Sequence, residues 1–162
     1  MTPATAQQLW GALSTEQGLN GLIKRIEIAK SHGAHIVMGG KRIGRPGFYM
    51  EPTIITDITK DNPFHEETFG PVASLYIVDN DEEAIQLANA TKYGLGACNF
   101  GQDTAHAQAI AARIDSGMVW INSSPYFAPE LPFGGIKNSG FGRELGDLGI
   151  GEFVNRKLVR TA

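Results

Sequence analysis

Residues 94–121 carry Gly94-Leu95-Gly96-Ala97-Cys98-Asn99-Phe100, then Asp103-Thr104-Ala105-His106-Ala107, then Gly117-Met118-Val119-Trp120-Ile121. Gly96 to Phe100 and Met118 to Ile121 are short apolar runs, the form of buried strands. Between them Asp103 is a ready N-cap for an alanine-rich helix through Ile114, and Gly117 follows it. The stretch predicts strand, helix, strand, with both strands running the same way.

Working upstream, Asp81-Glu82-Glu83 opens another helix, its acids placed against the positive end of the dipole, with Ala84, Leu87 and Ala88 behind them. Thr53 to Ile58 and Ser74 to Val78 are β-branched and apolar, and are expected as strands. His35 to Met38 is a further short strand, stopped by Gly39-Gly40. Ser14 with Gln17 three residues on resembles a capping box. The helix it would open has Leu22, Ile23, Ile26 and Ala29 or Lys30 at helical spacing and ends at Gly33. Residues 41–52 read as a basic loop. Downstream come a short helix at Leu145 to Ile150 and a tail, Phe153 to Arg160, with strand propensity. The tail's basic residues would guard a sheet edge, or the tail would pair with another chain.

The resulting fold class is α/β: a three-layer α/β/α arrangement on a mostly parallel sheet, residues 11–150, with a C-terminal strand at 151–162, an oligomerisation strand if it is the second of those two alternatives, and a loosely ordered N-terminus at 1–10. Such sheets put ligand loops at the carboxyl ends of their strands, which singles out 61–71 and 122–143.

At 162 residues and 42% hydrophobic, the chain can build a core. No apolar run approaches the roughly 18 residues of a membrane span, and residues 1–6 have neither the basic nor the apolar part of a signal peptide. The net charge is −3 and the basic residues are scattered, which argues against a nucleic-acid partner. One cysteine allows no intrachain disulfide, in keeping with a cytoplasmic location.

Residues able to do chemistry are few. Cys98 has no Lys, Arg or His within five residues, so it is expected as a buried packing residue and not as a nucleophile. The four histidines form no His-x3-His pair, so no metal site is expected. His65 beside Glu66-Glu67 is expected as a surface loop histidine. In Phe133-Gly134-Gly135-Ile136-Lys137-Asn138-Ser139-Gly140-Phe141-Gly142-Arg143-Glu144, Gly135 to Gly140 has phosphate-loop spacing, but Phe141-Gly142 stands where Lys and Ser or Thr are required. It reads as an ordered turn. Glu66-Glu67-Thr68-Phe69-Gly70-Pro71-Val72 can offer a carboxylate and a ring face to one ligand; on spacing alone, a capped turn with Phe69 in the core explains it better.

The ordered set Gly33-Ala34-His35, Gly39-Gly40, Pro52-Thr53-Ile54-Ile55, Glu66 to Val72, Ala88-Asn89-Ala90-Thr91-Lys92-Tyr93-Gly94-Leu95, Gly117-Met118-Val119-Trp120-Ile121-Asn122 and Pro132 to Gly146 resembles the aldehyde dehydrogenase superfamily, from about Gly11 to Val159. Ala12 stands where the family usually has Pro. The resemblance implies the C-terminal third of such an enzyme, part of its catalytic domain. It implies NAD or NADP as coenzyme of the intact parent, none held by this chain alone, and a small-molecule aldehyde as substrate. The parent's cysteine nucleophile, its glutamate base and its coenzyme domain would lie upstream, so no catalytic residue is expected here. By resemblance Glu67 matches the glutamate on the nicotinamide ribose and Phe69 the ring beside the nicotinamide. Phe127 and Phe133 match residues of the aldehyde tunnel, while Asn122 and Arg143 hold loops. The tail resembles a strand lent to a neighbouring subunit, which implies a homo-oligomer. Pro129 to Gly140 and Glu152-Phe153-Val154-Asn155 resemble the succinate-semialdehyde branch. Two readings stay open: a fragment of this oxidoreductase, or a non-catalytic interaction protein keeping the family's oligomer surface. An independent enzyme using Cys98 is disfavoured for want of a base.

Overall fold

The structure, a computed structural model, describes residues 11–65 and 67–162. The expected loose N-terminus at 1–10 and the Glu66 half of the acidic pair lie outside the described residues. The chain divides into two compact units, one ending at Ile77 and one beginning at Val78.

In the first unit, α1 spans Glu16–Ser31. Its N-cap is Thr15, not Ser14: Thr15 is extended and its hydroxyl accepts from the Gly18 N–H at 3.0 Å. The capping box fails because position 18 has no side chain to return the bond. The other end matches expectation. Gly33 adopts φ +93°, its N–H reaches Lys30 O at 3.0 Å, and the Ala34 N–H reaches Ala29 O at 3.0 Å. Those paired bonds around a left-handed glycine form a Schellman termination.

β1 (His35–Met38) pairs antiparallel with β2 (Thr53–Thr56), and β3 (Val72–Ser74) lies parallel to β2. β2 stops short of the expected Ile58 because Asp57 turns to φ +57°. β3 starts two residues earlier than expected: the Thr53 N–H donates to Pro71 O at 2.9 Å, fixing the register Thr53 opposite Val72. The inner stripe of α1 (Leu19, Leu22, Ile26 and Ala29) is buried with Met50, Ile55, Ile58 and Phe64 as one core.

In the second unit, α2 is Asp81–Asn89, capped by Asn80 through the Glu83 N–H at 2.9 Å. β5 (Gly96–Asn99), α3 (Thr104–Ala111) and β6 (Met118–Ile121) form the expected parallel strand–helix–strand unit, with Asp103 as cap. The Asn99 amide bonds Ala107 O at 2.8 Å, seating α3 on one face of the pair. The helix ends at Ala111, three residues before the expected Ile114. β4 (Tyr93–Gly94) and β7 (Ile136–Lys137) form an antiparallel pair unmarked by any apolar run, and α4 spans Gly146–Ile150.

The expectation of one mostly parallel sheet needs correction. Among the described residues there are three small sheets, with two parallel and two antiparallel pairings. The strands are two to four residues long, at the short end of the usual range. Within the single chain the tail joins none of these sheets. A 3-10 turn covers Gly151–Phe153, and beyond it Val154 is extended without a neighbour in the single chain.

Candidate functional site

The loop after the first unit's 3-10 turn (Pro63–His65) is held at both ends. Upstream, Asn62 is buried; its amide donates to Ala29 O at 3.1 Å and its oxygen accepts from the Phe64 N–H at 3.0 Å. Arg25 of α1 lies over the Phe64 ring at 5.5 Å, and its Nη1 reaches Glu67 O at 3.5 Å. Downstream, Gly70 sits at φ +146° against Leu22; a Cβ there would lie 2.3 Å from Leu22 Cδ2. Between these anchors Glu67 is exposed and the Phe69 ring is 82% exposed. The core-Phe reading is therefore wrong: the ring has been left outside by a loop whose ends are fixed. An exposed carboxylate and a bare ring face two residues apart suit a ligand with hydroxyls and a flat heterocycle.

His65 is half-buried, not a free surface histidine. Its Nδ1 lies 3.3 Å from the Tyr76 hydroxyl and the rings meet edge to face at 6.1 Å. Burial raises the Tyr76 hydroxyl's pKa above the ordinary phenol value, partly offset by a hydrogen bond with Ser74.

The second unit gathers three aromatic rings. Phe127 meets Trp120 edge-on at 5.8 Å and Phe133 at 5.6 Å, so both tunnel candidates belong to one wall. Phe127 remains 58% exposed. Phe133 exchanges two 2.7 Å backbone bonds with Glu144, which closes the glycine-rich stretch into a loop. Arg143 pins that loop from within, its Nη1 donating to Gly135 O at 2.9 Å and Gly142 O at 2.7 Å. Phe133, Gly135, Phe141, Arg143 and Glu152 line a pocket of about 190 Å³. Asn122 clamps the loop after β5 through Gly101. Arg143 and Asn122 thus hold loops, as expected.

Cys98 needs correction: it is exposed, on β5 opposite Trp120. α3 covers only the Ala97 and Asn99 face of the pair, leaving the face of Gly96 and Cys98 open. Exposure supplies neither a base nor an activating cation. Among the described residues no group of His, Cys, Asp and Glu is arranged to hold a metal ion, and no helix is long and apolar enough to cross a membrane.

Sequence reasoning missed Asn62, Tyr76 and Trp120. The Asn62-Pro63 dipeptide was the available signal for the first, as a turn initiator. Trp120 shares a strand face with Met118, two residues away, which marks it as part of a wall.

The model of the aldehyde dehydrogenase family matches residues 1–159, and the chain belongs to that family. Its relatives include the succinate-semialdehyde dehydrogenase [NADP(+)] of Deinococcus radiodurans, 49% identical over 98% of this chain, and that of Mycobacterium leprae, 47% identical over 94%. The chain spans 34% of the length of each. Among solved structures, succinic semialdehyde dehydrogenase from Streptococcus pyogenes in complex with NADP+ superposes with a TM-score of 0.91 at 46% identity, covering 97% of this chain and 35% of that one. Betaine aldehyde dehydrogenase from Staphylococcus aureus in complex with NAD+ gives 0.86 at 37% identity, covering 92% and 30%.

Proposed function

We propose that this chain is the C-terminal third of an NAD(P)-dependent aldehyde dehydrogenase of the cytoplasm that oxidises a small aldehyde, succinate semialdehyde first among candidates, to its carboxylate. The relatives' names support the substrate and coenzyme classes. The observation that carries the site reading is Phe69, a large ring left exposed beside the exposed Glu67 on a loop anchored at both ends.

In this reading Glu67 accepts hydrogen bonds from the nicotinamide ribose and Phe69 lies against the nicotinamide ring. An acceptor carboxylate and an exposed ring face fit that group. The nicotinamide, when bound, supplies the hydride acceptor. Phe127 and Phe133 form part of an apolar wall that guides the aldehyde and limits water. The nucleophile and base come from the rest of the polypeptide, so residues 1–162 alone turn over no aldehyde and hold no coenzyme. The polypeptide works as a homo-oligomer through its C-terminal tail.

The test is Glu67→Gln in the full-length polypeptide. Charge-assisted hydrogen bonds to ribose hydroxyls are worth about 1.5–3 kcal/mol, so coenzyme affinity should fall by roughly ten- to a hundredfold. Unchanged affinity and unchanged kcat would remove Glu67 from the site. A second reading, a non-catalytic interaction protein, draws on the exposed apolar residues Leu158 and Val159 of the tail. Aldehyde turnover by the full-length polypeptide would exclude it.

A further inference from the structure

We infer that Asn62 and Arg25 are positioning residues that set coenzyme affinity by fixing the course of the Glu67–Pro71 loop; this rests on the reading of that loop as a coenzyme contact. Neither side chain need touch the coenzyme. Asn62 is 2% exposed, and its two amide ends do separate jobs. The Nδ2 donates to Ala29 O at the C-terminus of α1, and the Oδ1 caps the turn that leads to Glu67 by accepting from the Phe64 N–H. The turn is thereby bolted to the helix by a buried polar bond, which is directional where apolar packing is not. Phe64, also buried, fills the space beside it. Arg25 adds a second tie one turn earlier on α1, through Nη1 to Glu67 O at 3.5 Å and its guanidinium over the Phe64 ring.

The far end of the loop has its own stop, since Gly70 abuts Leu22 on the same helix. Both ends of the loop are therefore referred to α1, the near end through Asn62 and Arg25 and the far end through Leu22. A carboxylate must hold hydrogen-bond distance to its hydroxyls, so a small displacement of Glu67 loses affinity without any change in its chemistry.

The test uses the full-length polypeptide with Asn62→Ser and Arg25→Met. Serine keeps a turn-capping oxygen but is too short to reach Ala29 O. That carbonyl keeps the N–H groups of His32 and Ala34, at 3.1 and 3.0 Å, so no buried acceptor is orphaned and the variant should fold. Coenzyme Kd is read by titration, the aldehyde KM at saturating coenzyme, and the melting temperature alongside. For Asn62→Ser the expected result is a coenzyme Kd raised about fivefold with the aldehyde KM within about twofold of the parent. Arg25→Met should give a smaller rise of about threefold, and it decides the matter if Asn62→Ser does not fold. A purely structural role would lower the melting temperature and leave Kd unchanged. Wild-type Kd in the folded variants, with Glu67→Gln weakening the coenzyme, would overturn this inference alone. Wild-type Kd in all three would overturn the coenzyme-loop reading itself.

Discussion

The side chain of Asn122 exchanges two hydrogen bonds of 2.8 Å with the backbone of Gly101, one to its N–H and one to its carbonyl. Asn122 holds this position at φ +52°, a conformation that asparagine tolerates better than most residues. Replacing it with alanine removes both bonds and leaves a side chain poorly suited to that backbone. We expect Asn122→Ala to cost about 2 kcal/mol, and Asn122→Gly less, since glycine takes positive φ freely. Equal losses by urea denaturation would mean that backbone strain has no part in it.

Glycines 117 and 21 should respond in opposite directions to the same change. A Cβ at Gly117 would lie 1.9 Å from Gly134 O, where backbone meets backbone, so Gly117→Ala should cost about 3 kcal/mol. Gly21 sits within α1 with nothing inside 4 Å of its would-be Cβ. Gly21→Ala should therefore stabilise by about 0.5–1 kcal/mol. A loss at Gly21 would show that α1 packs differently from the arrangement described.

Tyr76 ties stability to alkaline pH. Burial is the main cause that raises its pKa in the folded state, so the neutral hydroxyl is favoured there. Its contribution is complete below the unfolded value of 10.0 and is lost as pH rises through the higher folded value. As pH rises above the unfolded value of 10.0, the parent should then lose stability more steeply than Tyr76→Phe, which cannot ionise. Parallel slopes for the two would sink the linkage.

The tail should govern assembly. Phe153, Leu158 and Val159 are all well exposed in the single chain, an apolar series that a neighbouring copy would cover. Deleting residues 153–162 should weaken or abolish the homo-oligomer in light scattering. An intact chain that stays monomeric at high concentration defeats the proposal, and an oligomer that survives the deletion places the contact elsewhere.

What could be read in the sequence was local. Asp103 with its alanine-rich helix, Gly33 at the end of α1 and the Gly39-Gly40 stop after β1 each carry their signal within a few residues. The boundaries that slipped are set by partners far along the chain: β3 begins where the Thr53 N–H donates to the Pro71 carbonyl. The β4–β7 pair was invisible because Tyr93-Gly94 and Ile136-Lys137 show no strand pattern of their own. For the site, Glu67 and Phe69 were legible only by resemblance. Spacing could not tell a core phenylalanine from an exposed one, since that depends on where α1 stops the loop at Gly70. Asn62 matters through a bond to a residue 33 positions earlier, which no short motif records.

The open face of β5 leaves a practical handle. Cys98 is the chain's single thiol, it faces solvent, and its register partner is Trp120. A maleimide dye would attach at one known place beside an intrinsic fluorophore, without any engineered cysteine. The rate of that labelling, followed as denaturant is raised, becomes a clock for the opening of that strand pair.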